Sequence, residues 1–170
     1  MIVRPVWLAL GLLVCSAGCS RPEPAPEPVV DVAQERRERH FGPEVAKDPA
    51  IKWRSSGLGI KILVPGEGVV PQPTDRVRVH YTGRLKDGLV FDDSRVRGQP
   101  SDFVVNRLIT GWAAAMSELK PGGKAFFYIP PHLGYGGLRS GDIPPNSGLI
   151  FEVELIAVNP DLPAKSPAQK

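Results

Sequence analysis

The sequence is poor in the residues that most catalytic and metal chemistry requires. Among 170 residues there are 2 cysteines, 3 histidines and 2 methionines. Both cysteines, Cys15 and Cys19, lie at the N-terminal end, so disulfides, thiolate catalysis and cysteine-ligated zinc are excluded from the rest of the chain. His40, His80 and His132 are scattered, with no His-Glu-x-x-His pair and no Gly-x-Ser-x-Gly elbow around a serine. A Gly-x-x-x-x-Gly-Lys phosphate loop is also missing. Charge of one sign is scarce too, since 21 basic residues face 18 acidic ones. The densest charged run, Glu35-Arg36-Arg37-Glu38-Arg39, alternates in sign, and no basic stripe of the kind nucleic acid requires is legible.

Long apolar runs are confined to one place. Val6 to Val14 is short for a membrane span and fits the core of a signal peptide. It ends in Ser16-Ala17-Gly18-Cys19, small residues before a cysteine, which resembles a bacterial lipobox although Ser16 stands where that pattern prefers Leu. Residues 1–18 are read as a lipoprotein signal peptide and Cys19 as the lipidated first residue; ordinary cleavage after Gly18 is the alternative. Ser20 is not the Asp that retains many lipoproteins in the inner membrane. The expected location is therefore extracytoplasmic, anchored by lipid alone in the outer membrane of a Gram-negative cell and facing the periplasm.

Proline, by contrast, is abundant, and many of the 19 sit in the tails. Residues 20–30 read as an extended polyproline-like spacer, and residues 31–40 as a short helix stopped by Gly42-Pro43. Residues 19–52 are thus a tether ending in a short helical segment, 53–158 the folded unit, and 159–170 a flexible tail. The short N-terminal segment points to a monomer.

From Trp53 onwards the texture is that of half-buried strands. Leu58, Ile60 and Ile62 alternate with small or polar residues, as do Val77, Val79 and Tyr81, and Leu149, Phe151, Val153 and Leu155. Lys86-Asp87-Gly88 marks a hairpin. One helix is expected at Trp112–Leu119, with Trp112, Met116 and Leu119 at i, i+4 and i+7 and Pro121-Gly122-Gly123 ending it. Eight residues do not hold a helix alone in water, so it must lie on the sheet. The expected class is α+β: a twisted antiparallel sheet of about five strands around one short helix.

Nine aromatic residues fall from Tyr81 to Phe151, a density that fits a core but also an apolar cleft. Asp92-Asp93 is the one paired carboxylate, read by spacing as a turn that bonds its own backbone.

Six blocks then occur in order: Val79-His80-Tyr81-Thr82-Gly83, Gly88-Leu-Val-Phe91-Asp92-Asp-Ser94, Leu108-Ile109-Thr-Gly111-Trp112, Gly134-Tyr135-Gly136, Ile143-Pro144-Pro145-Asn146 and Leu149-Ile-Phe151-Glu-Val-Glu-Leu155. Over residues 53–158 the chain resembles an FKBP-type peptidyl-prolyl cis–trans isomerase. The resemblance implies a pocket of Tyr81, Phe91, Asp92, Leu108, Ile109, Trp112, Tyr135, Ile143 and Phe151. Within it Asp92, Tyr135, Ile109 and Phe91 are the catalytic candidates, and Tyr81, Leu108, Trp112, Ile143 and Phe151 bind substrate. Trp112 forms the floor beneath the proline ring, and the Ile109 N–H and Tyr135 hydroxyl bind substrate carbonyls. Asp92 either favours the twisted imide electrostatically or orients Tyr81.

The implied substrates are proline-containing polypeptides, with macrolides of the FKBP-ligand class as further ligands; no cofactor, metal or nucleic acid is implied. A non-catalytic, lipid-anchored chaperone using the same cleft is the rival reading. Ser101 and the segment Leu138-Arg139-Ser140-Gly141-Asp142 depart from the family pattern at the rim, where peptide preference is set.

Overall fold

The two-residue alternation around Val79 produces the strand on which the rest of the sheet is assembled. In the computed structural model, which describes residues 31–160, seven strands form one antiparallel sheet. These are β1 (Lys52–Trp53), β2 (Gly59–Val64), β3 (Arg76–Arg84), β4 (Val90–Asp93), β5 (Ser101–Val104), β6 (Lys124–Ile129) and β7 (Leu149–Val158). The spatial order is β1-β2-β6-β7-β3-β4, with β5 also paired to β3. The two strands beyond the expected five are short ones: β1 has two residues, and β4 and β5 share a single edge of β3.

Among the described residues three α-helices accompany the sheet: α1 (Val32–Phe41), α2 (Pro43–Lys47) and α3 (Thr110–Met116). The helix expected at Trp112–Leu119 is α3, begun two residues earlier. Its last turn tightens, because the Glu118 and Leu119 N–H groups donate to Ala115 and Met116 three residues back. Its buried side presents Trp112, Ala115 and Met116 to the largest core cluster, with Phe127, Ile129, Leu149, Phe151 and Val153 of β6 and β7.

The pleat puts neighbouring residues of β6 and β7 on the other face. There Tyr128 and Ile150 join Phe41 and Ile51 in a second cluster, flanked by Val45, Trp53 and Phe126. Helices therefore cover both faces, and α1 and α2 are packed against the sheet. Gly42-Pro43 ends α1 as expected, yet the proline also opens α2, since its fixed φ and missing N–H suit a first helical turn. The Asp31 carboxylate caps α1 by accepting the Ala33 and Gln34 N–H groups at 2.9 and 3.2 Å. Among the described residues no helix is long and apolar enough to cross a membrane. Cys19, the leader and residues 161–170 lie outside the described residues.

Candidate functional site

The pocket begins at the β3–β4 hairpin. Gly88, at φ +90°, closes a short loop in which the Leu85 N–H donates to Leu89 and the Gly88 N–H to Leu85, at 2.9 and 3.0 Å. Past the loop the register slips: Arg84 lies opposite Val90, but Gly83 lies opposite Asp92. Phe91 is thus the extra residue of a bulge, a device that re-aims a side chain. Its ring meets Phe151 edge-on, with centroids 5.5 Å apart at 85°. A Cβ on Gly83 would lie 2.5 Å from Phe91 and 2.8 Å from Phe151, so only glycine lets these rings close over β3.

β4 then leaves β3, and Ser94 takes over the vacated ladder position. Its buried hydroxyl accepts the Tyr81 N–H at 2.8 Å and donates to the Tyr81 carbonyl at 3.1 Å, while its own N–H donates to that carbonyl at 3.0 Å. Tyr81 is fixed from behind by this arrangement. In front, its hydroxyl donates to the Asp92 carboxylate, whose other oxygen is paired with Arg97. Arg97 also donates to the Tyr81 oxygen at 3.1 Å and to Ser101 at 3.0 Å, with its guanidinium 5.5 Å from the Tyr81 ring centre. Burial and the Asp92 carboxylate push the Tyr81 hydroxyl above the ordinary phenol range, with Arg97 opposing them in part. Hydrogen bonds to Tyr81 and Asp92 hold Arg97 all the more firmly protonated.

Trp112, 3% exposed, lies at the base. Tyr81 and Phe151 stand against it edge-to-face at 5.6 and 5.4 Å and at 86° and 84°, an arrangement the ring quadrupoles favour. Above it opens a cavity of about 590 Å³, lined by Tyr81, Phe91, Asp92, Leu108, Ile109, Trp112, Tyr135, Ile143 and Phe151 together with Phe103, Arg107 and Ser140–Asp142. All nine residues expected from the sequence share this one hollow.

Leu108 and Ile109 reach it because the 3₁₀ turn Val105–Arg107 runs directly into α3. Ile109 precedes the first turn, its carbonyl accepting the Trp112 and Ala113 N–H groups at 3.0 and 3.1 Å. Its own N–H takes part in none of the turn and cap hydrogen bonds. Tyr135, 38% exposed, stands at the rim with a hydroxyl that makes no hydrogen bond among the described residues. The site therefore offers an apolar, ring-lined floor, two unengaged donors at its edge, the Asp92 carboxylate already paired with an arginine, and Asp142 on the outer loop. Among the described residues no cluster of side chains suits a metal ion.

The family profile described as FKBP-type peptidyl-prolyl cis-trans isomerase matches residues 68–156, more than half of the sequence. The chain belongs to the FKBP-type peptidyl-prolyl cis–trans isomerase family. Among curated members, a probable FKBP-type isomerase of Haemophilus influenzae is 46% identical over 135 residues, covering 79% of this chain and 56% of the relative. The FKBP-type 22 kDa isomerase of Escherichia coli is 47% identical over 116 residues, 68% of this chain and 56% of the relative. This chain spans about half the length of these curated relatives. Among solved structures, FkpA from Escherichia coli superimposes with a TM-score of 0.67 at 40% identity, covering 74% of this chain and 57% of that one. An isomerase of Pseudomonas syringae gives 0.65 at 38% identity, covering 74% of this chain and 93% of that one.

Within this FKBP-type site, sequence reasoning missed Ser94, Arg97, Phe103 and Arg107. Phe103 carries a detectable signal as one of the clustered aromatic residues, and its ring meets Tyr81 and Trp112 at 5.8 and 6.2 Å. Arg97 carries none, because only the excursion between β4 and β5 returns it to Asp92. Of the two roles left open for Asp92, the geometry shows the contact with Tyr81, while Arg97 pairs with the other carboxylate oxygen.

Proposed function

We propose that this FKBP-type domain accelerates cis–trans isomerisation of X–Pro bonds, and that Trp112 with the eight other expected pocket residues is the site. The observation that supports this most directly is an open apolar hollow over Trp112, rimmed by the unengaged Tyr135 hydroxyl. Its volume lies within the range of about 300–1,000 Å³ usual for small-ligand sites, ample for a proline and its neighbours.

The uncatalysed bond crosses a barrier of about 18–20 kcal/mol because rotation destroys amide resonance. In the twisted imide the carbonyl carries less negative charge than in the planar one, and water stabilises the planar form better. Moving the bond onto the rings of Trp112, Phe91 and Phe151 removes that preference. The site therefore binds the transition state more tightly than the ground state, with no covalent step.

A ten-thousand-fold acceleration corresponds to about 5.4 kcal/mol. Removing water from an amide contributes about 1–3 kcal/mol. A hydrogen bond from the Ile109 N–H that forms best to the twisted geometry adds about 1–1.5 kcal/mol. Holding the chain in a turn-like shape through Tyr135 and Ile143 supplies the rest. Asp92, engaged by Tyr81 and Arg97, keeps the pocket wall in place and acts as no base.

The test is protease-free exchange spectroscopy on a Leu-Pro peptide. Conversion well above the solvent rate, suppressed by a macrolide of the FKBP-ligand class, supports the reading; a folded protein that leaves the rate unchanged overturns it.

The same proposal places the chain outside the cytoplasm as a monomer, held by a lipid on Cys19 through residues 20–30. It rests on the apolar leader and the Ser16-Ala17-Gly18-Cys19 cluster. Mass spectrometry of the mature N-terminus distinguishes a diacylated Cys19 from an unmodified one, and sedimentation gives the oligomeric state.

A further inference from the structure

Immediately behind the loop that carries Tyr135 and Ile143 lies a cavity of about 750 Å³, larger than the isomerase pocket. Chain continuity makes the two neighbours. Tyr135 lines one and Gly136 the other, and Ile143 lines one while Pro144 lines the other. The loop is clipped at its base by the Asn146 N–H donating to the Gly136 carbonyl at 2.7 Å, so it is a partition with a hollow on each side.

The second hollow is cationic. Arg39, His40, Lys86 and His132 line it, opposed by the single carboxylate of Asp87, which already accepts the Leu89 N–H at 3.1 Å. Lys86 Nζ donates to the Arg39 carbonyl at 3.1 Å and has no carboxylate partner among the described residues. Arg39 pairs at 2.9 Å only with Glu35 on the exposed side of its own helix, a contact that exchanges readily. Burial first, then the charges of Arg39, Lys86 and His132, hold the His40 ring below the ordinary imidazole range.

The sign alternation of the 35–39 run disappears in space. Ala33, Arg36, Arg37 and His40, at i, i+3, i+4 and i+7, line an adjoining cavity of about 480 Å³ with Arg39, Arg54 and His132, and no carboxylate lines it. Around its edge Glu35 pairs with Arg39 and Glu118 with Arg54, while Glu38 pairs with Lys47. The wall is built: Phe41 pins α1 in the second core, and a Cβ on Gly148 would lie 2.6 Å from the His40 carbonyl, so glycine there admits the helix.

We propose that this basic hollow receives acidic side chains of the same polypeptide whose X–Pro bond occupies the isomerase pocket. Prolines with Asp or Glu a few residues away are then preferred substrates. Contiguity across one loop favours a polypeptide over a phosphate polymer, because a chain leaving the pocket past Gly136 or Pro144 enters the hollow directly. An extended chain covers about 3.3 Å per residue, so acidic residues a few positions from the proline reach across the loop. This inference rests on the isomerase reading for its choice of partner.

The experiment compares three peptides with one Leu-Pro core: unextended, extended through a Gly-Ser spacer by three Glu, and extended identically by three Gln. The extensions are placed on either side of the proline. With the full chain at low salt, the Glu extension on one side lowers KM about three- to tenfold relative to Gln at unchanged kcat. The advantage vanishes in about 0.5 M salt, as screening requires, and in the Lys86→Glu/Arg39→Glu variant, which turns over the unextended peptide as the wild type does. Equal KM for the Glu and Gln peptides on both sides, or an advantage that survives in the variant, overturns the proposal. So does binding of polyphosphate without discrimination between the peptides. Fluorescence anisotropy on the same peptides reads the hollow without turnover: an unextended peptide that is not isomerised refutes the isomerase reading, whereas loss of the Glu–Gln difference in binding refutes the acidic-segment reading.

Discussion

The Tyr81 hydroxyl donates to the Asp92 carboxylate across the β3–β4 hairpin, and Arg97 grips both partners from the far side. The contact exists because the bulge at Phe91 brings Asp92 opposite Gly83, two residues from Tyr81. If Asp92 serves the pocket through Tyr81, the two residues act as a unit. Tyr81→Phe and Asp92→Asn are each expected to lower kcat/KM about five- to tenfold, with the double variant no worse than the poorer single one. Additive losses in the cycle assign Asp92 an effect of its own on the imide.

Gly83 lies beneath the point where Phe91 and Phe151 meet. Gly83→Ala inserts a methyl group between Phe91 and Phe151, where no space exists. Overpacking of this kind costs about 1–3 kcal/mol, and the displaced rings are expected to reduce kcat/KM by roughly ten- to a hundredfold. Thermal unfolding and exchange kinetics on one sample separate the two effects; wild-type turnover at reduced stability argues against these rings as the proline site.

Phe41 lies on the opposite face of the sheet from Trp112, among Ile51, Tyr128 and Ile150. Phe41→Ala is expected to cost about 3–5 kcal/mol of stability. Turnover of an unextended Leu-Pro peptide stays at the wild-type level wherever the variant is folded, as measured by denaturant titration alongside the kinetics.

Arg78 donates to both oxygens of Asp102 at 2.8 Å, which holds that carboxyl below the usual range against the opposing effect of burial. Glu154 is lowered in the same direction, burial raising it but Lys124 and Arg95 more than compensating. A carboxylate depressed by folding contributes stability above its unfolded pKa and loses it as pH falls through the folded value. Stability is therefore expected to fall below about pH 4. Asp102→Asn should remove up to about 1 kcal/mol of that dependence, so that its melting curve changes less than the wild type's between neutral and acid pH.

What the sequence by itself determined was local or periodic. The alternation of Val77, Val79 and Tyr81 laid down β3, the i, i+4 spacing of Trp112 and Met116 marked α3, and Lys86-Asp87-Gly88 turned the hairpin, because backbone geometry repeats over two or a few residues. The ordered motifs also named all nine expected lining residues of the pocket. Only the tertiary structure decided contacts that depend on where strands part company. Ser94 completes the ladder at Tyr81 because β4 leaves β3 there, and Arg97 reaches Asp92 because the chain swings out before β5. The 35–39 run looks balanced along the chain, yet α1 docked through Phe41 lines one hollow with Arg36, Arg37 and Arg39 and with neither glutamate. Charge in sequence is summed along a line, whereas charge at a site depends on which side of a packed helix each group occupies.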